Sequence, residues 1–210
     1  MTQADNRTIV VGVTGASGAV LAQAALRLLE ADARVSRIHL VVTDTGARLL
    51  AHELSIATSD AKRLPSLLIG GRAAKTEVLP NKDVGASIAS GSYPVDAMVV
   101  TPCSMGTLAT IAAGTSDDLI ARAADVSLKE GRRLVLCVRD TPFSRVHLEN
   151  MLRAQQAGAV IMPAIVSFYH QPKTIDDLVA QYVYRVLAQM GLPQEQAYRW
   201  EGQGRAREAI

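Results

Sequence analysis

Aromatic side chains are scarce in this 210-residue chain: five Tyr, two Phe and one Trp, 4% of the whole. A core with so few rings has to be packed from Ala, Val, Leu and Ile. That suits parallel strands under Ala-rich helices and argues against an aromatic-rich β-sandwich. Cysteine is nearly absent as well. Cys103 and Cys137 form no Cys-x-x-Cys pair, and His39, His52, His147 and His170 show no metal-ligand spacing, so no metal is expected. The two thiols read as small buried hydrophobes of a reduced, cytoplasmic protein. Basic runs are also missing: 22 Lys and Arg stand against 20 Asp and Glu, a net charge of +2. A nucleic-acid binder gathers its Lys and Arg on one face, so nucleic acid is excluded as a partner. Any anion recognised is a small one, met by single arginines. Two long uncharged segments, 8–26 and 97–116, are broken by Gly15 and Gly18 and by Pro102 and Gly106. They read as strand, turn and helix rather than as membrane spans, and the polar first residues lack the order of a secretory signal.

What is present is alternation. Short apolar runs at 9–13, 38–43, 97–101, 134–138 and 160–162 read as strands, with helical patterns between them. The last helix is the clearest: Thr174 can cap it, Asp177 follows three residues on, and Ile175, Leu178, Val179, Tyr182, Val183, Val186, Leu187 and Met190 share a face. Another helix is expected from Ser116 to Gly131 and a third from Ser144 to Gly158. Residues 55–95 suggest loops and one short helix. The expected fold class is α/β, a Rossmann-like three-layer sandwich with a mainly parallel sheet and helices on both faces. One domain over 1–210 is expected, with 1–7 and about 203–210 as flexible tails.

Three strand-end turns carry the candidate chemistry. Thr14-Gly15-Ala16-Ser17-Gly18-Ala19 follows the first strand, and the N–H groups of the next helix point at whatever anion sits there; a nucleotide phosphate is the natural guest. Gly-x-Gly-x-x-Gly is absent, and Asp44 sits where an acidic ribose ligand would. Thr101-Pro102-Cys103-Ser104-Met105-Gly106-Thr107 is rich in small hydroxyls; it offers donors to a ring or phosphate, or is a plain helix cap. Arg139-Asp140 ends a third strand at the expected ligand crevice. Tyr169 and Lys173 have the spacing of a short-chain reductase pair, but Pro172 between them breaks the helix that pair needs. Arg122 and Lys129, seven residues apart, share a helical face that position alone reads as a solvated one. Arg185, beside the last helix's apolar stripe, can bury its stem and deliver its head to a pocket.

Together these pieces resemble the flavin prenyltransferase family, the UbiX/Pad type, over nearly the whole chain. The resemblance rests on Thr14 to Ala19, Ala89-Ser90-Gly91-Ser92, Pro102 to Ser104 with Gly106-Thr107-Leu108, Asp118-Leu119-Ile120 with Arg122-Ala123-Ala124-Asp125, and Leu128-Lys129-Glu130. It continues through Arg139 with Thr141 to Ser144, His147 to Leu152 and Phe168-Tyr169-His170-Gln171-Pro172. It implies a transferase that joins a dimethylallyl group, from dimethylallyl phosphate, to N5 and C6 of reduced FMN. The prenylated FMN serves UbiD-type decarboxylases. It further implies that Gly15, Ala16, Ser17, Thr43, Ser104, Met105, Gly106, Thr107 and Arg139 hold the flavin. Ser90, Gly91, Arg122, Lys129, Tyr169 and Arg185 would take the donor phosphate, with Trp200 covering the site. Ser17 and Asp140 are the candidates for moving the proton, with Glu53 as the substitute, and Tyr169 joins them as a phenol that steadies the leaving anion. Two positions depart from the family pattern: Thr43 stands for a usual Ser and Asp140 for a usual Glu. A homo-oligomer, possibly a dodecamer, with sites at subunit junctions is implied as well. The alternatives are an FMN-dependent cysteine decarboxylase on the related fold and a non-catalytic FMN-carrier subunit of a decarboxylase.

Overall fold

The apolar runs become strands because β-branched residues, Val and Ile above all, fit a pleated, buried surface. The computed structural model describes residues 6–200. Its strands are β1 (Arg7–Val13), β2 (Val35–Val42), β3 (Thr76–Pro80), β4 (Ala97–Cys103), β5 (Arg133–Val138) and β6 (Val160–Ile161). All pair in parallel, in the order β3-β2-β1-β4-β5-β6. The helices are α1 (Ala19–Ala31), α2 (Asp44–Leu54), α3 (Leu64–Ile69), α4 (Met105–Ala113), α5 (Leu119–Lys129), α6 (Arg145–Gln156) and α7 (Ile175–Gln189). The Rossmann-like sandwich expected from the alternation is the observed fold.

Two cores lie on opposite sides of the sheet. One gathers Ile9, Val11, Val99 and Val135 with α1, Leu50 of α2, Leu64 and Leu68 of α3, and the Val179–Leu187 stripe of α7. The other gathers Val10, Val100 and Leu136 with Ile88 and Ala89, α4, α5 and Ala154 of α6. The strand period of two sends alternate residues to the two cores. Burying each Leu or Val in such a core contributes about 1.5–3 kcal/mol. Cys103 and Cys137 are free and buried in opposite cores; Cys103 leaves the strand alternation because the register shifts between Val100 and Cys103. Burial pushes the Cys137 thiol up to about 11.

Caps set the helix ends. Thr174 and Asp177 form the expected reciprocal capping box on α7, and Ser144 caps α6. α5 begins three residues later than Ser116, because Asp118 accepts from the Ala121 amide and is itself the cap. The turn at 169–173 is not helical: Gln171 has φ 52° and the helix waits for Thr174, so the reductase pair is not formed.

Two further assignments differ from expectation. β3 lies in the stretch read as loops; it is an edge strand carrying Glu77 and ending at Pro80, so it shows neither an apolar run nor clean alternation. Arg7, assigned to the tail, is the first residue of β1, and its guanidinium donates to the Gly191 carbonyl at 2.8 Å. The 203–210 tail lies outside the described residues. Among the described residues no helix is long and apolar enough to cross a membrane.

Candidate functional site

The sheet reverses its winding between β1 and β4, and a crevice opens at the carboxyl ends of strands at such a point. Thr14 ties the two turns there. Its buried hydroxyl donates to the Pro102 carbonyl at 2.9 Å and accepts from the Ser104 amide at 2.8 Å. Both turns are thereby held in one register. Small residues are required around them: a Cβ at Gly15 would come 2.7 Å from Thr45 Cβ, and one at Gly46 would come 2.6 Å from the Val13 carbonyl.

A cavity of about 750 Å³ opens beside these turns. Gly15, Thr43, Thr45, Ser104, Gly106 and Thr107 line its inner wall, with Leu79, Asn81, Lys82 and Asp118 farther out. The N-termini of α2 and α4 meet on it, capped by Thr43 and Ser104. Thr43 Oγ1 accepts from the Gly46 amide at 3.0 Å, and Ser104 Oγ accepts from the Thr107 amide at 3.2 Å. Thr43 does the capping work a Ser would do, so the first family departure is accommodated. Met105 buries its side chain in the core, which leaves its main chain alone for any ligand contact. Asp44 is exposed and faces Lys82 at 3.9 Å.

The first turn differs from expectation in one respect that matters. The amides at the start of α1 are not open to a phosphate, because Glu53 Oε2 already accepts from Gly18 at 3.0 Å and Ala19 at 2.8 Å. Gly18 is in the left-handed region at φ 119° and offers no side-chain cap, so the carboxylate supplies one from 35 residues away. Burial works to raise the Glu53 carboxyl. The Gly18 and Ala19 amides, the Ser17 hydroxyl and the Arg139 charge outweigh it and hold the group below its ordinary value. Glu53, Ser17 and Arg139 thus form one cluster. Asp140 is half-buried and its carboxylate accepts from the adjacent Thr141 amide at 2.8 Å. Of the two carboxylates, Glu53 is the one that meets Ser17.

Arg139 tests whether a flavin suits the crevice. Its main chain is fixed to the Cys103 carbonyl at 3.1 Å, while its Nε is buried with no hydrogen-bond partner. A buried donor without an acceptor is costly, and a ring carbonyl or nitrogen would satisfy it. The hydroxyl-lined cavity beside it suits a phosphorylated polyol. The residues present therefore fit FMN.

The residues expected at the donor fall into two groups. Ser90 and Gly91 sit beside α5: Arg122 donates to the Ala89 carbonyl at 3.1 Å and pairs with Asp125 at 2.9 Å, and Lys129 lies over Gly91. Arg122 is thus committed to this loop rather than simply solvated. The second group is Tyr169, Trp200 and Arg185. The Tyr169 and Trp200 rings meet edge to face at 6.1 Å, both largely exposed. Arg185 borders a 250 Å³ cleft with Met162, Pro163 and Tyr182. The first group rides on elements of one core and Arg185 on α7 of the other, across the sheet. One chain does not bring them together. Sequence reading missed Asn81, which caps from outside: its side chain accepts from the Ile120 amide at 3.1 Å and donates to Asp118 at 3.1 Å, locking α5 to the end of β3.

The Flavoprotein family model matches residues 1–187. Flavin prenyltransferase UbiX of Halalkalibacterium halodurans is 44% identical over 191 residues, 90% of this chain and 91% of that one. A crystal structure of AnUbiX (PadA1) in complex with FMN and dimethylallyl pyrophosphate shares 41% identity at a TM-score of 0.81, over 94% of this chain and 98% of that one. A dodecameric FMN-dependent UbiX-like decarboxylase from Escherichia coli O157:H7 shares 42% at a TM-score of 0.81, over 93% of this chain and 100% of that one.

Proposed function

The chain belongs to the flavin prenyltransferases of the Flavoprotein family, and from that premise we propose that it transfers a dimethylallyl group from dimethylallyl phosphate to N5 and C6 of reduced FMN. The observation that carries this reading is the pairing of a hydroxyl-lined strand-end crevice with a separate set of cations. Oxidative decarboxylation of a cysteine has no evident use for Arg122, Lys129 and Arg185, whereas an allylic phosphate leaves as an anion and needs them.

When bound, reduced FMN supplies the nucleophile. The chain's own part is binding, orientation and proton handling. The N-termini of α2 and α4, with Thr43, Ser104 and Thr107, take the FMN phosphate and ribityl arm; the α1 amides do not, being committed to Glu53. Arg139 gives its unpartnered Nε to the ring. The C–O bond of the donor would break and the phosphate would depart onto Ser90, Gly91, Arg122, Lys129, Tyr169 and Arg185. The new C–N and C–C bonds would displace two ring protons, one taken up by the former alkene carbon and one bound for the departing phosphate, so a proton has to be carried away from the ring. Ser17 receives it and hands it to ionised Glu53, with Asp140 in a lesser role. Tyr169 and Trp200 screen the allyl cation from water.

Because the two donor groups ride on opposite faces of the sheet, the complete site forms between chains. Exposed Val146, Leu148 and Leu152 on α6, with Ile165 and Phe168 beyond β6, supply apolar contact for a homo-oligomer, which the dodecameric relative makes a natural size. A reducing cytoplasm suits the two unpaired thiols. The prenylated FMN product would serve as the cofactor of a UbiD-type decarboxylase. Incubating the protein anaerobically with reduced FMN and dimethylallyl phosphate should raise the flavin mass by one prenyl unit. No gain would overturn the reading in favour of a cysteine decarboxylase or an FMN carrier.

A further inference from the structure

The donor loop beside α5 holds one charged group for which the transfer itself has no use. Lys129, the last residue of α5, does not present a bare ammonium: it is bonded to the carboxylate of Glu130. Both side chains lie over Gly91. A Cβ at Gly91 would overlap Glu130 Oε1 and come within 2.7 Å of Lys129 Nζ. Arg132 fixes the loop from another side, donating to the Gly91 carbonyl at 2.6 Å, so the loop cannot simply retreat. Glu130 Oε1 therefore fills the space above the Gly91 main chain, against the ammonium.

A carboxylate in that position has the attributes of a phosphate oxygen. It is anionic, accepts only, and sits on the same cation. Resting on the donor-site reading above, we propose that Glu130 is a resident anion that occupies the Lys129 ammonium over Gly91 until the donor phosphate displaces it, and so sets donor affinity. The bond from Lys129 keeps the Glu130 carboxyl below its ordinary value, so the competitor stays ionised across the neutral range. A dianionic phosphate, helped by Ser90 and Arg122, wins this exchange; a singly charged carboxylate metabolite gains nothing over the resident group. Glu130 thus selects for phosphate charge as well as weakening donor binding.

Glu130→Gln keeps the shape over Gly91 and removes the charge. An exposed ion pair of this kind is weak, so KM for dimethylallyl phosphate should fall about threefold. The inhibition constant of inorganic phosphate should fall by the same factor, with kcat and melting temperature unchanged. Glu130→Ala should move both constants in the same direction. A role limited to packing would move neither constant downward. Constants that stay fixed or rise in both variants overturn the proposal. If the unaltered protein prenylates no flavin, the donor-site reading itself fails. Calorimetric titration of both proteins with inorganic phosphate reads the competition without turnover, and equal affinities there would overturn it too.

Discussion

The strand-end crevice and the donor groups differ in what their polar atoms are bonded to. In the crevice, Thr14, Ser104, Thr43 and Glu53 are tied to main-chain groups of neighbouring turns within one chain, while the buried Arg139 Nε is left open. At the donor groups, Lys129 is paired with a nearby carboxylate, Tyr169 and Trp200 stand exposed against each other, and the set is divided across the sheet. The crevice is organised before its ligand arrives; on the function proposed above, the donor site would be assembled by the ligand and by a second chain. Preorganised donors serve where charge must be placed accurately, and mobile cations serve to release a departing anion.

Substitutions sharpen that contrast in descending order of effect. Glu53→Gln should lower single-turnover prenylation by about a hundredfold or more while flavin affinity stays within a few fold, because the carboxylate is the base on Ser17. Its depressed folded value fixes the sign of the pH dependence. The ionised form contributes fully above the ordinary carboxylate range and is lost as pH falls through the folded value, so activity should have an acid limb that the variant lacks. Thr14→Val should cost about 1–3 kcal/mol by orphaning the Ser104 amide, while the Pro102 carbonyl keeps its bond from the residue-14 amide, lowering the melting temperature by several degrees and weakening flavin binding. Asp140→Asn should change the rate by no more than about threefold, since its carboxylate serves the Thr141 amide. A larger loss in Asp140→Asn than in Glu53→Gln would reverse the roles assigned to the two.

Most of the scaffold was legible in sequence. Apolar runs marked five strands, and Ser144 and Thr174 announced two helices, because these signals are local. β3 escaped because an edge strand with a Glu and a terminal Pro is written in turn residues. The Gly15–Gly18 turn was recognised but its guest was not: the carboxylate that fills the α1 terminus comes from Glu53, and nothing in the intervening residues announces the pairing. Asn81 was invisible for the same reason, reaching α5 across 39 positions. The donor residues carried almost no local signal; Arg122 and Lys129 looked like a wet helical face, and only resemblance to a family singled them out. Long-range polar closure is where sequence reading ran out.

The division of the donor site between chains is tested most directly by complementation. Arg122→Ala and Arg185→Ala chains should each be inactive alone. Co-expressed in equal amounts, they should form mixed oligomers in which about a quarter of the junctions join an intact Arg122 to an intact Arg185, and that share of wild-type activity should return. Mixed oligomers that stay as inactive as either parent would contradict a site built from two chains.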